Sequence, residues 1–131
     1  MRKAVQLVFI FFTISNAFSH GADAVSTGIW HKKVLEVKWD SNWPTEHCME
    51  IKSKHTLSYS IETQYSMKYD FHVHPDNKEN EYRTEYFSKA NAIKSKQGQI
   101  STEKPGTYCF NFSPVTRLKK NSEILLSYRV D

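Results

Sequence analysis

With 131 residues and a formal net charge of +4, the chain has room for one domain and little more. Its lysines and arginines are interleaved with acids, and the charge falls by two, to +2, when Arg2 and Lys3 are removed with a leader. That charge is too small to argue for nucleic-acid binding, so no nucleic acid is expected as partner.

The chain opens on MRKAVQLVFIFFTISNAFS, Met1–Ser19. Arg2 and Lys3 precede an apolar run from Ala4 to Ile14, broken only by Gln6 and Thr13, and small residues follow. This order predicts a secretory signal peptide, cleaved between residues 17 and 24. The run falls short of the roughly 20 residues a bilayer span needs, so no membrane span is expected. The mature protein is expected to be secreted or periplasmic. Residues 20–28 are small and polar and predict a flexible N-terminus, with the domain running from 29 to 131.

KVLEVKW, Lys33 to Trp39, alternates as a strand with Leu35, Val37 and Trp39 on one side. Asp40 to Pro44 is a turn signal, and His47 to Ile51 is a short strand carrying Cys48. Leu57, Tyr59 and Ile61 face one way in the next strand. Met67, Tyr69, Phe71 and Val73 alternate with Lys68, Asp70, His72 and His74 in the strongest strand of the chain. Pro75 to Asn80 breaks it. Tyr82, Thr84 and Tyr86 predict a further strand, whereas Ser88 to Ser95 reads as helical or irregular. Glu103 to Gly106, EKPG, predicts a type II turn. Tyr108, Phe110 and Phe112 alternate with Cys109 and Asn111, and Ile124, Leu126, Tyr128 and Val130 make a terminal strand. Turn signals at roughly eight- to twelve-residue intervals predict an all-β, antiparallel β-sandwich of jelly-roll type.

Cys48 and Cys109 are the two cysteines. Export implies an oxidising compartment, so a disulfide between strands, tying the two layers of sheet, is expected; two buried thiols are the alternative. Closing a loop of about 60 residues is worth roughly 4 kcal/mol in the chain-entropy estimate.

EHCMEI, Glu46 to Ile51, and KPGTYCFNF, Lys104 to Phe112, together resemble the GOLD (Golgi dynamics) domain of the emp-type cargo receptors. The resemblance covers Val34 to Val130. It rests on Cys48, Gly106, Tyr108, Cys109 and Phe110, with Tyr69 to Asn77 similar to the family's middle strand and turn. It implies a β-sandwich with an early cysteine bonded to one in the last-but-one strand, acting as a non-catalytic module that binds protein or lipid. The family's late cysteine sits five residues after the glycine; here it sits three after, an offset of the same parity. The coiled coil, membrane helix and cytosolic tail of the cargo receptors have no counterpart in this sequence, so a free-standing GOLD-like protein is expected.

Asp70, His72 and His74 share one strand face, where alternate residues lie about 6.5 Å apart. His-x-His in a strand suits zinc or copper, with His31, His47 or His55 to supply a third ligand; the same residues also read as an ordinary polar, solvent-facing side of a sheet. His20, if cleavage made it the N-terminus, would add an amine and imidazole. Trp30, Trp39 and Trp43 read either as a sugar-stacking platform or, for Trp39, as core and, for Trp43, as packing near the Cys48 bridge. Glu79, Glu81 and Glu85 read as a solvated surface. Asn111-Phe112-Ser113 is formally a glycosylation sequon, disfavoured by Pro114. No nucleophile elbow or phosphate loop occurs. The expected function is therefore that of an exported, soluble, non-catalytic binding module with a protein partner in the envelope or extracellular space. A metal-handling protein is the second reading and a carbohydrate-binding module the third.

Overall fold

The computed structural model describes residues 22–52, 54–76 and 84–131. The leader, His20, Glu79, Glu81 and Tyr82 lie outside them. Among the described residues seven strands follow in chain order: β1 (Ala22–Ala24), β2 (His31–Val37), β3 (Thr45–Ile51), β4 (His55–Pro75), β5 (Glu85–Thr102), β6 (Gly106–Pro114) and β7 (Ser122–Val130). The chain is all-β, and among the described residues no helix is long and apolar enough to cross a membrane.

The architecture turns on β4, a strand of 21 residues. Along one edge it pairs β5 throughout. Along the other it pairs β7 from Leu57 to Thr63 and then β6 from Met67 to Pro75. Register shifts between Glu62 and Tyr69 mark the place where the β4–β5 ribbon passes from one layer to the other. Bulged positions of this kind bend strands and sharpen twist. The sheet order β1-β3-β6-β4-β7-β2 thus curls into two layers, and β2 returns to touch β3. Every strand pair is antiparallel except β1 with β3.

One core lies between the layers. Tyr69, Phe71 and Val73 of β4 meet Tyr108, Phe110 and Phe112 of β6, and Ile124, Leu126, Tyr128 and Val130 face them from β7. Phe71 and Phe110 have ring centroids 4.5 Å apart, and Tyr59 meets Phe110 edge-on at 5.3 Å. Large aromatic side chains thereby supply the apolar burial that a chain of this size needs.

The disulfide between Cys48 and Cys109 is present, but it does not join the layers. The two residues face each other directly across the β3–β6 register, with Cα atoms 4.1 Å apart. Tyr108 and Phe110 occupy the inner face, so the pleat turns Cys109 outward. The bridge is a rung on the outer side of one layer.

Other expectations also change. Ser88 to Ser95 is strand, because pairing with β4 overrides weak local preference. The two strands expected over Thr56 to Val73 are one. Residues 22–24 are not a loose tail: Ala22 pairs with Cys48 and Ala24 with Glu50, and Gly28 N–H donates to Val130 O at 2.8 Å. The one described glycine with positive φ is Gly28, so Gly106 does not sit at the left-handed position of a type II turn. Gly106 is needed for close approach instead. A Cβ there would lie 2.6 Å from the His74 carbonyl oxygen and 2.9 Å from Val73 Cγ2.

Candidate metal centre on the outer sheet face

Because the aromatic residues of β4 and β6 point inward, their polar neighbours collect on the opposite side. Register then aligns them across strands. His72 stands beside Cys109 on β6 and Tyr86 on β5; Asp70 stands beside Asn111 and Lys89. Cys48, Cys109 and His72 therefore form one cross-strand row, with His74 adjoining it.

The row is held by specific contacts. His72 Nδ1 lies 2.6 Å from Asp70 Oδ1, and Asn111 Nδ2 donates to Asp70 Oδ2 at 3.0 Å. His72 Nε2 lies 3.2 Å from His74 Nε2, and His74 Nδ1 lies 3.3 Å from Thr84 Oγ1. A carboxylate only accepts, so His72 carries its proton at Nδ1. Neutral His72 then accepts at Nε2 from His74, whose Nδ1 accepts from Thr84. If His72 is charged, the direction of both bonds reverses. Either arrangement leaves one proton between the two Nε2 atoms.

His72 is buried, only 6% exposed, and His74 is half-buried. Burial pushes His74 below the ordinary imidazole value and His72 adds to this, while Glu46 pulls the other way. The Lys89 ammonium sits 3.6 Å from the centre of the Tyr86 ring, which itself lies against His72. A shallow depression of about 190 Å³ borders the row, lined in part by Asp70, Tyr86, Lys89, Asn111 and Ser113. The Asn111 side-chain oxygen is buried without a hydrogen-bond partner.

The structure thus brings together Asp70, His72 and His74. It does not bring them the histidines expected as a third ligand. His47 faces inward and meets Tyr128 Oη at 3.2 Å. His31 stacks on the Tyr128 ring and its Nε2 reaches Ser26 O. His55 Nδ1 lies 3.2 Å from Asp131 O. The donor atoms that do converge are those of His72, His74 and Cys109, all within 4.8 Å of one another, and those of Glu46, Cys48 and Cys109 form a second such group. The equal parity of Cys109 and Asn111 with one face was visible in the sequence; their alignment with His72 and Asp70 was not.

The tryptophans lie elsewhere. Trp39 is 46% exposed and Trp43 84% exposed, so neither is core and Trp43 does not pack against the bridge. Both line a groove between the β2–β3 and β6–β7 connections, with Lys38, Asp40 and Arg117. Trp30 is also exposed. Glu85 is bound by Lys104 at 3.0 Å.

No family model and no curated protein matches the chain. Among solved structures, it is similar to the pre-peptidase C-terminal domain of a collagenase from Bacillus anthracis. The alignment covers 84% of this chain and 94% of that one, with 13% identity and a TM-score of 0.50. At that identity the likeness is one of fold alone.

Proposed function

We propose that the chain is an exported, non-catalytic β-sandwich binding domain that holds a zinc or copper ion between His72 and His74. The observation that carries this reading is the 3.2 Å separation of the two Nε2 atoms. A zinc ion about 2.0–2.3 Å from each ligand sets neighbouring ligand atoms roughly 3.4–3.7 Å apart, so the pair needs little movement. A cation takes the place of the proton between the imidazoles. That proton moves to His74 Nδ1, where Thr84 Oγ1 can accept it. Asp70 behind His72 fixes the tautomer and strengthens the ligand, the arrangement common to metal-binding histidines. Export is supported by the leader pattern and the disulfide.

The test is elemental analysis of mature protein purified without a histidine tag, followed by loading with zinc and with copper. About one ion per chain is expected, lost in His72→Ala/His74→Ala. Wild-type protein that takes up no more metal than the double variant rejects the reading.

A protein partner is part of the same proposal, and β5 supports it. Among the described residues this strand of 18 residues pairs only with β4, which leaves its other edge open to an added strand. Lys89, Lys94 and Lys96 along it discourage indiscriminate pairing. Kinship with the GOLD domain is likewise proposed, on Cys48, Gly106, Tyr108, Cys109 and Phe110. The tryptophan groove supports a glycan as a further ligand; tryptophan fluorescence unchanged across a glycan panel would reject that.

A further inference from the structure

We infer that the Cys48–Cys109 disulfide is a redox gate on the histidine pair, and that reducing it completes a four-ligand site for zinc. This rests on the metal reading above and extends it to the ligand set. Two imidazoles alone hold zinc less tightly than a closed site, which takes four ligands. One missing donor, Cys109, is already in place, and Cys48, grouped with Cys109 and Glu46, must swing toward the histidines. Cys109 stands directly beside His72 in the β4–β6 register, and Cys48 directly beside Cys109 in the β3–β6 register. The Sγ of Cys109 lies within 4.8 Å of both histidine nitrogens. While the sulfurs are bonded to each other, neither is a thiolate, and the thiolate is the ligand form.

The chemistry balances with a dithiol reductant of the thioredoxin type. Its two thiols become a disulfide, the Cys48–Cys109 bond breaks, and each sulfur takes one proton. Zinc then binds both sulfurs and releases those two protons. Two thiolates balance the ion's two charges, so the row, in which His72 and Cys109 are buried, gains no net charge. The sulfurs must part to roughly 3.7 Å to share one tetrahedral ion, a movement within the reach of side-chain rotation. Glu46 is the alternative fourth ligand: its Oε1 lies 2.8 Å from Cys48 Sγ. Because a bonded sulfur carries no proton, this is a contact and not a hydrogen bond. The fold does not depend on the bridge to hold β3 against β6, since the two strands pair over seven residues.

The experiment uses mature, metal-free protein, oxidised or reduced with a phosphine that is then removed under anaerobic conditions. Zinc is titrated against a chromophoric chelator, and cobalt(II) reports thiolate ligation through its sulfur-to-metal charge-transfer band. The reduced form is expected to bind zinc at least about 100-fold more tightly than the oxidised form, and to show the band. Cys109→Ser is expected to abolish the gain. Cys48→Ser, which frees Cys109 without any reductant, is expected to show the band in air-handled protein, and Glu46→Gln in that background tells whether the carboxylate fills the fourth position. Reduced protein that binds no more tightly overturns the gate; so does tight binding that survives His72→Ala/His74→Ala, or loss of the strand signature in circular dichroism at zinc saturation. If the oxidised form binds through its histidines and reduction adds nothing, the gate alone fails. If neither form binds, the metal reading fails with it.

Discussion

Strands β4 and β6 present two faces built on the same backbone. Inside, Phe71, Val73, Tyr108, Phe110 and Phe112 have no exposed surface and pack ring against ring. Outside, one residue away in each case, stand Asp70, His72, His74, Cys109 and Asn111. The inner face works by area and shape, and any one residue there touches many neighbours. The outer face works by specific pairs, each donor meeting one acceptor. Apolar packing is therefore concentrated on one side of the sheet and polar pairing on the other, and substitutions should separate the two.

The largest effect is expected inside. Phe110→Ala should cost about 3–5 kcal/mol in denaturant unfolding, through lost burial and the cavity left behind. A loss no greater than that of outer-face variants would erase the contrast. Next comes the bridge. Reduction should lower stability by about 2–4 kcal/mol, since the loop spans 61 positions of sequence, while leaving the strand content intact. A melting temperature unmoved by reductant would contradict this. Smaller again is Asp70→Ala, which strands His72 Nδ1–H and the Asn111 amide. About 1.5–3 kcal/mol is expected, with metal affinity reduced about 10–100-fold. Equal metal affinity in this variant would show that Asp70 does not orient the ligand.

Both faces should also contribute to the pH dependence of stability. Burial holds His47 on the inner face and His74 on the outer face below the ordinary imidazole value. The unfolded chain therefore takes up protons at these sites more readily than the folded one. Their neutral forms contribute fully above about pH 6.5, and stability falls as the pH drops through the lower folded values. Melting curves between pH 7.5 and 5 should show this decline, and His47→Gln/His74→Gln should flatten it. The smallest effect is expected for Trp43→Ala, within about 0.5 kcal/mol of wild type, because the ring is almost wholly in solvent. A large loss there would mean that the groove is structural.

Much of this division was legible in the chain itself. The alternation of Met67 to His74 and of Tyr108 to Phe112 assigned each side chain to a face, and the structure agrees at those positions. Trp39 broke the rule: it continues the spacing of Leu35 and Val37, but β2 ends at Val37 and the chain turns away before the ring can be covered. Ser88 to Ser95 carried no clear period, and only β4 made it a strand. The histidines proposed as third ligands were chosen by residue type, and they fold to other places.

Parity is written in the chain alone. In a pleated strand, which residues share a face follows from counting by two, and Asp70, His72, His74, Cys109 and Asn111 were placed by that alone. Adjacency across strands comes from the assembled fold. That β6 lies between β3 and β4, in a register setting Cys109 against both Cys48 and His72, depends on how two layers of aromatic side chains fit together. Register is set by packing summed over the whole interface, and no local pattern in one strand carries it.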